Sequence, residues 1–240
     1  MGNVLVNEAS LQAIADAIRV KNGSTEKYLP SEMPSAIEGI QSGGGVDNMK
    51  LMTQWGNTFY KASFPEETHL VLEYGENFVG DMTNMFSYTS SSKIKSIKIV
   101  GNRQVTGVKL NSTFNSCSAE IIDFSECDLV LITGAMQNTF TGSSKLKEIK
   151  GTLDVSRVTS FVTTFHNCTA LEEVRFLKEN IFKSISFSTC KNLSDASIQS
   201  IIDGLATVEE TQTLTLHVDV KAKLTEAQIS QITSKNWTLA

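Results

Sequence analysis

The sequence predicts an α/β repeat fold: a leucine-rich-repeat solenoid with a parallel sheet, preceded by a small helical N-terminal module. Three observations predict it. A fixed frame recurs through the middle of the chain. In its clearest copy Phe165 is followed by Cys168 at +3, Leu171 at +6, Val174 at +9 and Phe176 at +11. The leading Phe residues (86, 114, 140, 165 and 187) lie 28, 26, 25 and 22 residues apart by subtraction. At that period each unit buries its apolar side only against its neighbours. The first forty or so residues have a different texture, with helical spacing and a Gly run behind it.

Residues 1–42 read as a helical attachment or oligomerisation module. Asn7 is placed to cap a helix in which Leu11, Ile14, Ala15 and Ile18 form an i, i+3, i+4, i+7 stripe. Lys21-Asn22-Gly23 ends it. A second short helix starts near Ser31, with Pro34 in its first turn and Met33, Ile37 and Ile40 on its apolar side. Two such helices cannot close a core of their own, so the face made by Leu11, Ile14, Ile18, Met33, Ile37 and Ile40 is expected to dock on a partner. Gly43–Gly45 is a linker and the clearest boundary in the chain. Residues 46–80, with a strand near His69–Tyr74, are expected to cap the solenoid.

The solenoid spans 81–198. The frame fits Phe140, Ser143, Leu146, Ile149 and Gly151, and also Phe187, Cys190, Leu193, Ala196 and Ile198. Looser copies start at Phe86 and Phe114. Four residues before four of these Phe stands another apolar side chain (Met82, Leu110, Met136, Phe161), a pairing that suits a short helical or 3₁₀ turn. Strands near Lys95–Ile99, Glu120–Phe124, Lys147–Lys150 and Glu172–Phe176 are expected to pair in parallel as one sheet. Residues 199–240 read as the C-terminal cap. A helix carries Ile198, Ile201, Ile202 and Leu205, a strand runs over Thr213–Val218, and Thr225 with Gln228 forms a capping box on a last helix. Trp237 is expected to pack rather than bind.

The composition of the 240 residues, 40% apolar and 20% charged, is that of a folded protein, and no run reaches the ~18 apolar residues of a membrane span. A net charge of −5 argues against nucleic acid. The N-terminus lacks the basic and apolar regions of a signal peptide, so folding in the cytosol is expected. Cys117, Cys168 and Cys190 share the +3 position and read as small buried side chains. Cys168 and Cys190 come within disulfide reach at the spacing of adjacent coils, about 4.8 Å, but a reducing cytosol favours thiols. No Cys-x-x-Cys pair or neighbouring His supports zinc.

Three stretches resemble the BspA-like branch of the leucine-rich repeats, which occurs in bacterial surface proteins and phage tail-associated proteins. They are Met82-Thr83-Asn84-Met85-Phe86, Asp154-Val155-Ser156-Arg157-Val158-Thr159-Ser160-Phe161 and Phe165-His166-Asn167-Cys168-Thr169-Ala170-Leu171. The ending Leu224-Thr225-Glu226-Ala227 with Lys235-Asn236-Trp237-Thr238-Leu239-Ala240 is similar to the closure of prophage-encoded members. Val6–Arg19 together with Tyr28–Met33 is similar to a module heading structural proteins of phages of Gram-positive hosts. The resemblance implies a non-enzymatic virion structural protein, tail- or baseplate-associated or fibre-like, assembled in the bacterial host cytoplasm. Residues 1–42 would hold other virion proteins, as a homo-oligomer, and the body would contact a host-surface glycan or protein. A capsid decoration or head fibre, or a bacterial surface adhesin, are the alternatives.

No catalytic, cofactor or metal constellation emerges. His69, His166 and His217 stand in no nucleophile–acid motif, and adjacent Glu172 and Glu173 point to opposite faces of a strand. The Phe column reads as core rather than a sugar-stacking platform. Outward positions of the sheet are more open. Lys95, Lys98, Lys147, Lys150 and Arg175, mixed with Asp123, Glu148 and Glu173, make either a solvated face or a shallow partner-binding face.

Overall fold

A computed structural model describes residues 49–101, 105–127 and 131–240. The chain divides at 48/49 into two units, and the second, Met49–Ala240, carries all the described residues. The module at 1–42, its face of Leu11, Ile14, Ile18, Met33, Ile37 and Ile40, and the linker 43–45 lie outside them.

The described residues form parallel β-sheets with few helices. After a 3₁₀ turn at Met49–Leu51 come β1 (Thr68–Glu73), β2 (Ile94–Gly101), β3 (Thr106–Val108), β4 (Ile121–Cys127), β5 (Leu131–Ala135), β6 (Glu148–Lys150), β7 (Arg157–Ser160) and β8 (Ile185–Phe187). They are followed by α1 (Asp195–Gly204), β9 (Gln212–Leu216), α2 (Val218–Lys221), α3 (Glu226–Ser234) and β10 (Trp237–Leu239). The strands make three sheets rather than the one expected, ordered β1-β2-β4-β6, β3-β5-β7 and β8-β9-β10. The pairings within them are parallel. The passes of Phe114 and Phe140 each supply a strand before the Phe (β3, β5) and another after it (β4, β6), and the sequence frame registers only the second.

The predicted helical turn at the Phe does not form. Its place is taken by overlapping tight turns, because the residues two before and two after each Phe from Phe59 to Phe165 adopt left-handed backbone. Asn57, Asn84, Ser112, Asn138 and Thr163 have φ of 53–60° on one side, and Lys61, Tyr88, Ser116, Gly142 and Asn167 have φ of 52–71° on the other. Asn, Gly and short hydroxyl residues tolerate that region, which explains their recurrence. Backbone groups then divide their bonds. Asn84, Phe86 and Tyr88 donate to Asn111, Thr113 and Asn115 of the next pass, while Met85 and Ser87 close local turns on Met82 and Asn84. The buried turns thus satisfy these donors without helix or sheet.

This arrangement stacks the Phe rings. Phe59, Phe86, Phe114, Phe140, Phe165 and Phe187 form one column with successive centroids 4.5–5.9 Å apart. The five from Phe86 onward are fully buried. Beside the column, Thr113, Thr139 and Thr164 are buried, and their hydroxyls donate to Met82, Leu110 and Met136 carbonyls. At +3, Ser143 Oγ donates to Phe114 O and Cys168 Sγ to Phe140 O, so hydroxyl and thiol fill one role. Cys117, Cys168 and Cys190 are buried thiols.

Residues 46–80, expected as an atypical cap, include a pass built like those after it. Trp55 and Phe59 take the positions of Met82 and Phe86, Phe59 stacks on Phe86, and β1 pairs with β2. The other end does change character. The strand expected at Glu172–Phe176 shrinks to bridges at Glu173 and Phe176, and Ala196 is exposed rather than in the frame. Helix α1, capped by Ser194, covers that edge instead. Ser197 and Ser200 hydroxyls accept the Val174 and Phe176 N–H groups, which removes an open edge. Ile198, Ile201, Ile202 and Leu205 are buried as the spacing predicts. Lys235 Nζ donates to the Ile202, Asp203 and Leu205 carbonyls at the C-terminal end of α1. Strand β9 stops at Leu216, where His217 caps α2. The capping box of Thr225 and Gln228 is present on α3. Trp237 is buried and donates from Nε1 to Ala206 O at 2.8 Å.

Candidate functional site

The five cations singled out from sequence lie on or beside the four-stranded sheet, and parallel register decides what they do. Lys98 of β2 is opposite Asp123 of β4, which is opposite Lys150 of β6. A second row sets Lys95 and Lys147 on either side of Glu120, at 2.5 and 2.8 Å. Lys98 reaches Glu126 at 2.7 Å, Lys150 reaches Glu148 at 3.9 Å, and Arg175 reaches Glu173 at 3.8 Å. Hydrogen bonds from Lys147 and Lys95 hold the Glu120 carboxyl at a pKa of about 2, despite partial desolvation. Glu120 raises Lys95 in return, chiefly through their hydrogen bond, and Glu126 does the same to Lys98.

The structure therefore brings Lys95 together with Lys147 on one carboxylate, and Lys98 with Lys150 around Asp123. Arg175 stands apart with its own Glu. Alternating charge across strands gives each pair a small, solvent-screened stabilisation. It also cancels the positive field that an anionic polymer would need. Sequence reasoning found the cations from their strand positions; their pairing depends on register, which single strands do not carry.

Two other concave places stand out among the described residues. One is a cavity of about 140 Å³ with Val108, Leu110, Phe124, Ile132 and Leu153 in its apolar wall. Cys127 and Asp154 stand on its wall too, but Cys127 Sγ donates to Phe124 O, and Asp154 accepts from the N–H and hydroxyl of Ser156. The other is an open groove of about 300 Å³ between β7 and β8, bordered by Thr159, Phe161, Thr163, Lys183, Thr213 and Thr215. Nothing in the sequence frame pointed to it, because it lies where the frame is interrupted. Among the described residues no group of three or more His, Cys, Asp or Glu is placed to hold a metal ion. His69 bonds Ser96 at 2.8 Å and His217 caps α2.

No protein-family model, curated protein or solved structure matches this chain.

Proposed function

We propose that the chain is a non-enzymatic structural protein of a phage virion, tail- or baseplate-associated or fibre-like. Residues 1–42 would attach or oligomerise it. The following residues would form a leucine-rich-repeat solenoid that projects toward a host surface or a neighbouring virion protein. The observation that supports this reading is the unbroken Phe column with its pass-to-pass hydrogen bonds. Each pass rests on the next, so the body suits a stiff spacer built by repetition. The motifs that resemble phage-encoded repeat proteins add the setting. The self-neutralised sheet face is better suited to docking a protein of matching charge pattern than to holding a polyanion.

The test is deletion of residues 1–42. The shortened chain is expected to keep the stability of its body, lose self-association in size-exclusion chromatography with light scattering, and fail to enter particles. Unchanged oligomeric state and incorporation would remove the tether from this reading.

A further inference from the structure

We infer that the groove between β7 and β8 binds an anionic polyol: a carboxylate or phosphate carried on a hydroxylated chain. The inference rests on this groove alone and stands whatever particle or surface the chain belongs to.

The groove exists because one pass is irregular. Phe165 and Phe187 are 22 residues apart by subtraction, the shortest step in the column. Where other passes place an apolar residue four before the Phe, this one has Lys183; where they place Asn, Ser or Thr two before it, this one has Ile185. Ile strongly resists left-handed backbone, so the segment runs as strand β8 and pairs forward with β9. Strand β8 itself returns no backbone bond to the pass before it; the bonds resume at Thr189, whose Oγ1 accepts from Asn167 N–H and donates to Phe165 O.

One backbone donor, at Thr163, loses its partner as a result, and a second, at Phe161, has none among the described residues. Asn57, Asn84, Ser112 and Asn138 donate to Thr83, Asn111, Gln137 and Val162 of the following pass, and Thr163 holds the same position. Trp55, Met82 and Met136 donate likewise from the position of Phe161, whereas Leu110, in that position of a regular pass, has no such bond among the described residues. Among the described residues neither Phe161 N–H nor Thr163 N–H finds an acceptor, and both residues line the groove. Lys183 stands in the same groove, exposed and, among the described residues, without a carboxylate in ion-pair range, unlike the cations of the sheet face. Thr159, Thr213 and Thr215 add hydroxyls that no described group occupies. A groove offering two N–H donors and an ammonium asks for an oxyanion, and its Thr hydroxyls match a polyol. Glu209 and Glu210 line an adjoining groove that shares Lys183, so the anion would sit on the Thr side of that lysine.

The test titrates the ¹⁵N-labelled full chain with glycerol 3-phosphate and, separately, with galacturonate, with glycerol and galactose as neutral controls. The Phe161 and Thr163 amide signals are expected to move saturably with an anion and not with its neutral control. The tighter of the two anions names phosphate or carboxylate as the source. Lys183→Gln is expected to weaken binding about threefold to fivefold, the scale of one exposed ion pair. Thr215→Val should weaken it less, and Glu209→Gln should not weaken it. Amides that stay still with both anions, or that move equally with the neutral compounds, overturn the inference. Binding unchanged in Lys183→Gln overturns the placement of the anion.

Discussion

Replacing Phe140 by Ala probes the Phe column at its centre. The ring is fully buried, 5.6 Å from Phe114 at an interplanar angle of 2° and 5.4 Å from Phe165 at 16°. Truncating a buried Phe costs about 3–5 kcal/mol through lost transfer energy and the cavity left behind. Each stacked partner adds about 0.5–1.5 kcal/mol beyond burial, and Phe140 loses two. The expected loss is therefore at the upper end, about 5 kcal/mol. Phe59 has one stacked neighbour in the column, Phe86, and is 7% exposed; Phe59→Ala should cost about 3 kcal/mol. In a unit of this size each kcal/mol moves Tm by about 2–4 °C, so Phe140→Ala should lower it by roughly 10–20 °C. Phe140→Leu, which keeps most of the side-chain volume, should cost about 1–2 kcal/mol. Urea unfolding of the three variants beside the parent chain measures this. A loss below about 2 kcal/mol for Phe140→Ala, or one no larger than that of Phe59→Ala, would refute the idea that each ring is held from both sides.

Three further outcomes are expected. Because the Glu120 carboxyl is lowered from 4.5 to about 2 in the fold, its contribution is complete above pH 4.5 and is lost as pH falls toward 2. Glu120→Gln should flatten stability over that interval by no more than about 1 kcal/mol, since the triad meets solvent; an unchanged acid slope would count against it. Tyr88 is half exposed with φ of 61°, a conformation that costs an ordinary L-residue about 1 kcal/mol, so Tyr88→Asn should raise Tm by a few degrees, and a fall would mean that its edge contact with Tyr60 matters more. Burial raises the Cys117 and Cys168 thiol pKa values and pushes that of Cys190 up to about 12. In the native chain a disulfide reagent should modify the half-buried Cys127 first, with the other three reacting only on unfolding; early labelling of Cys168 would contradict the packing.

The column and the C-terminal helices were readable because their signals are local. Phe at a steady spacing, small residues at +3, and Thr225 with Gln228 each carry their role within a few residues. Trp55-Gly56-Asn57-Thr58-Phe59 holds the same short pattern, apolar at the first position, Asn at the third and Phe at the fifth. It could have been aligned, but the missing Cys and Leu downstream hid it. The turns in place of helix were legible only in the Asn and Ser residues two before the Phe, whose tolerance of left-handed backbone outweighs the i, i+4 pairing. The rest depends on register. Which carboxylate meets which lysine follows from strands about 25 residues apart coming side by side. The groove at β7 and β8 follows from a bond that one pass fails to return. The first is carried by no single segment; the second shows in the sequence only as the short step to Phe187 with Lys183 and Ile185 in it.

Quantifying the chain in gradient-purified, high-salt-washed particles, by mass spectrometry of phage induced from a strain carrying its gene, bears hardest on the structural reading. A constant number of copies per particle, lost when residues 1–42 are deleted, is the predicted result. A chain that stays with the cell envelope or the soluble lysate while the particles remain complete would contradict it.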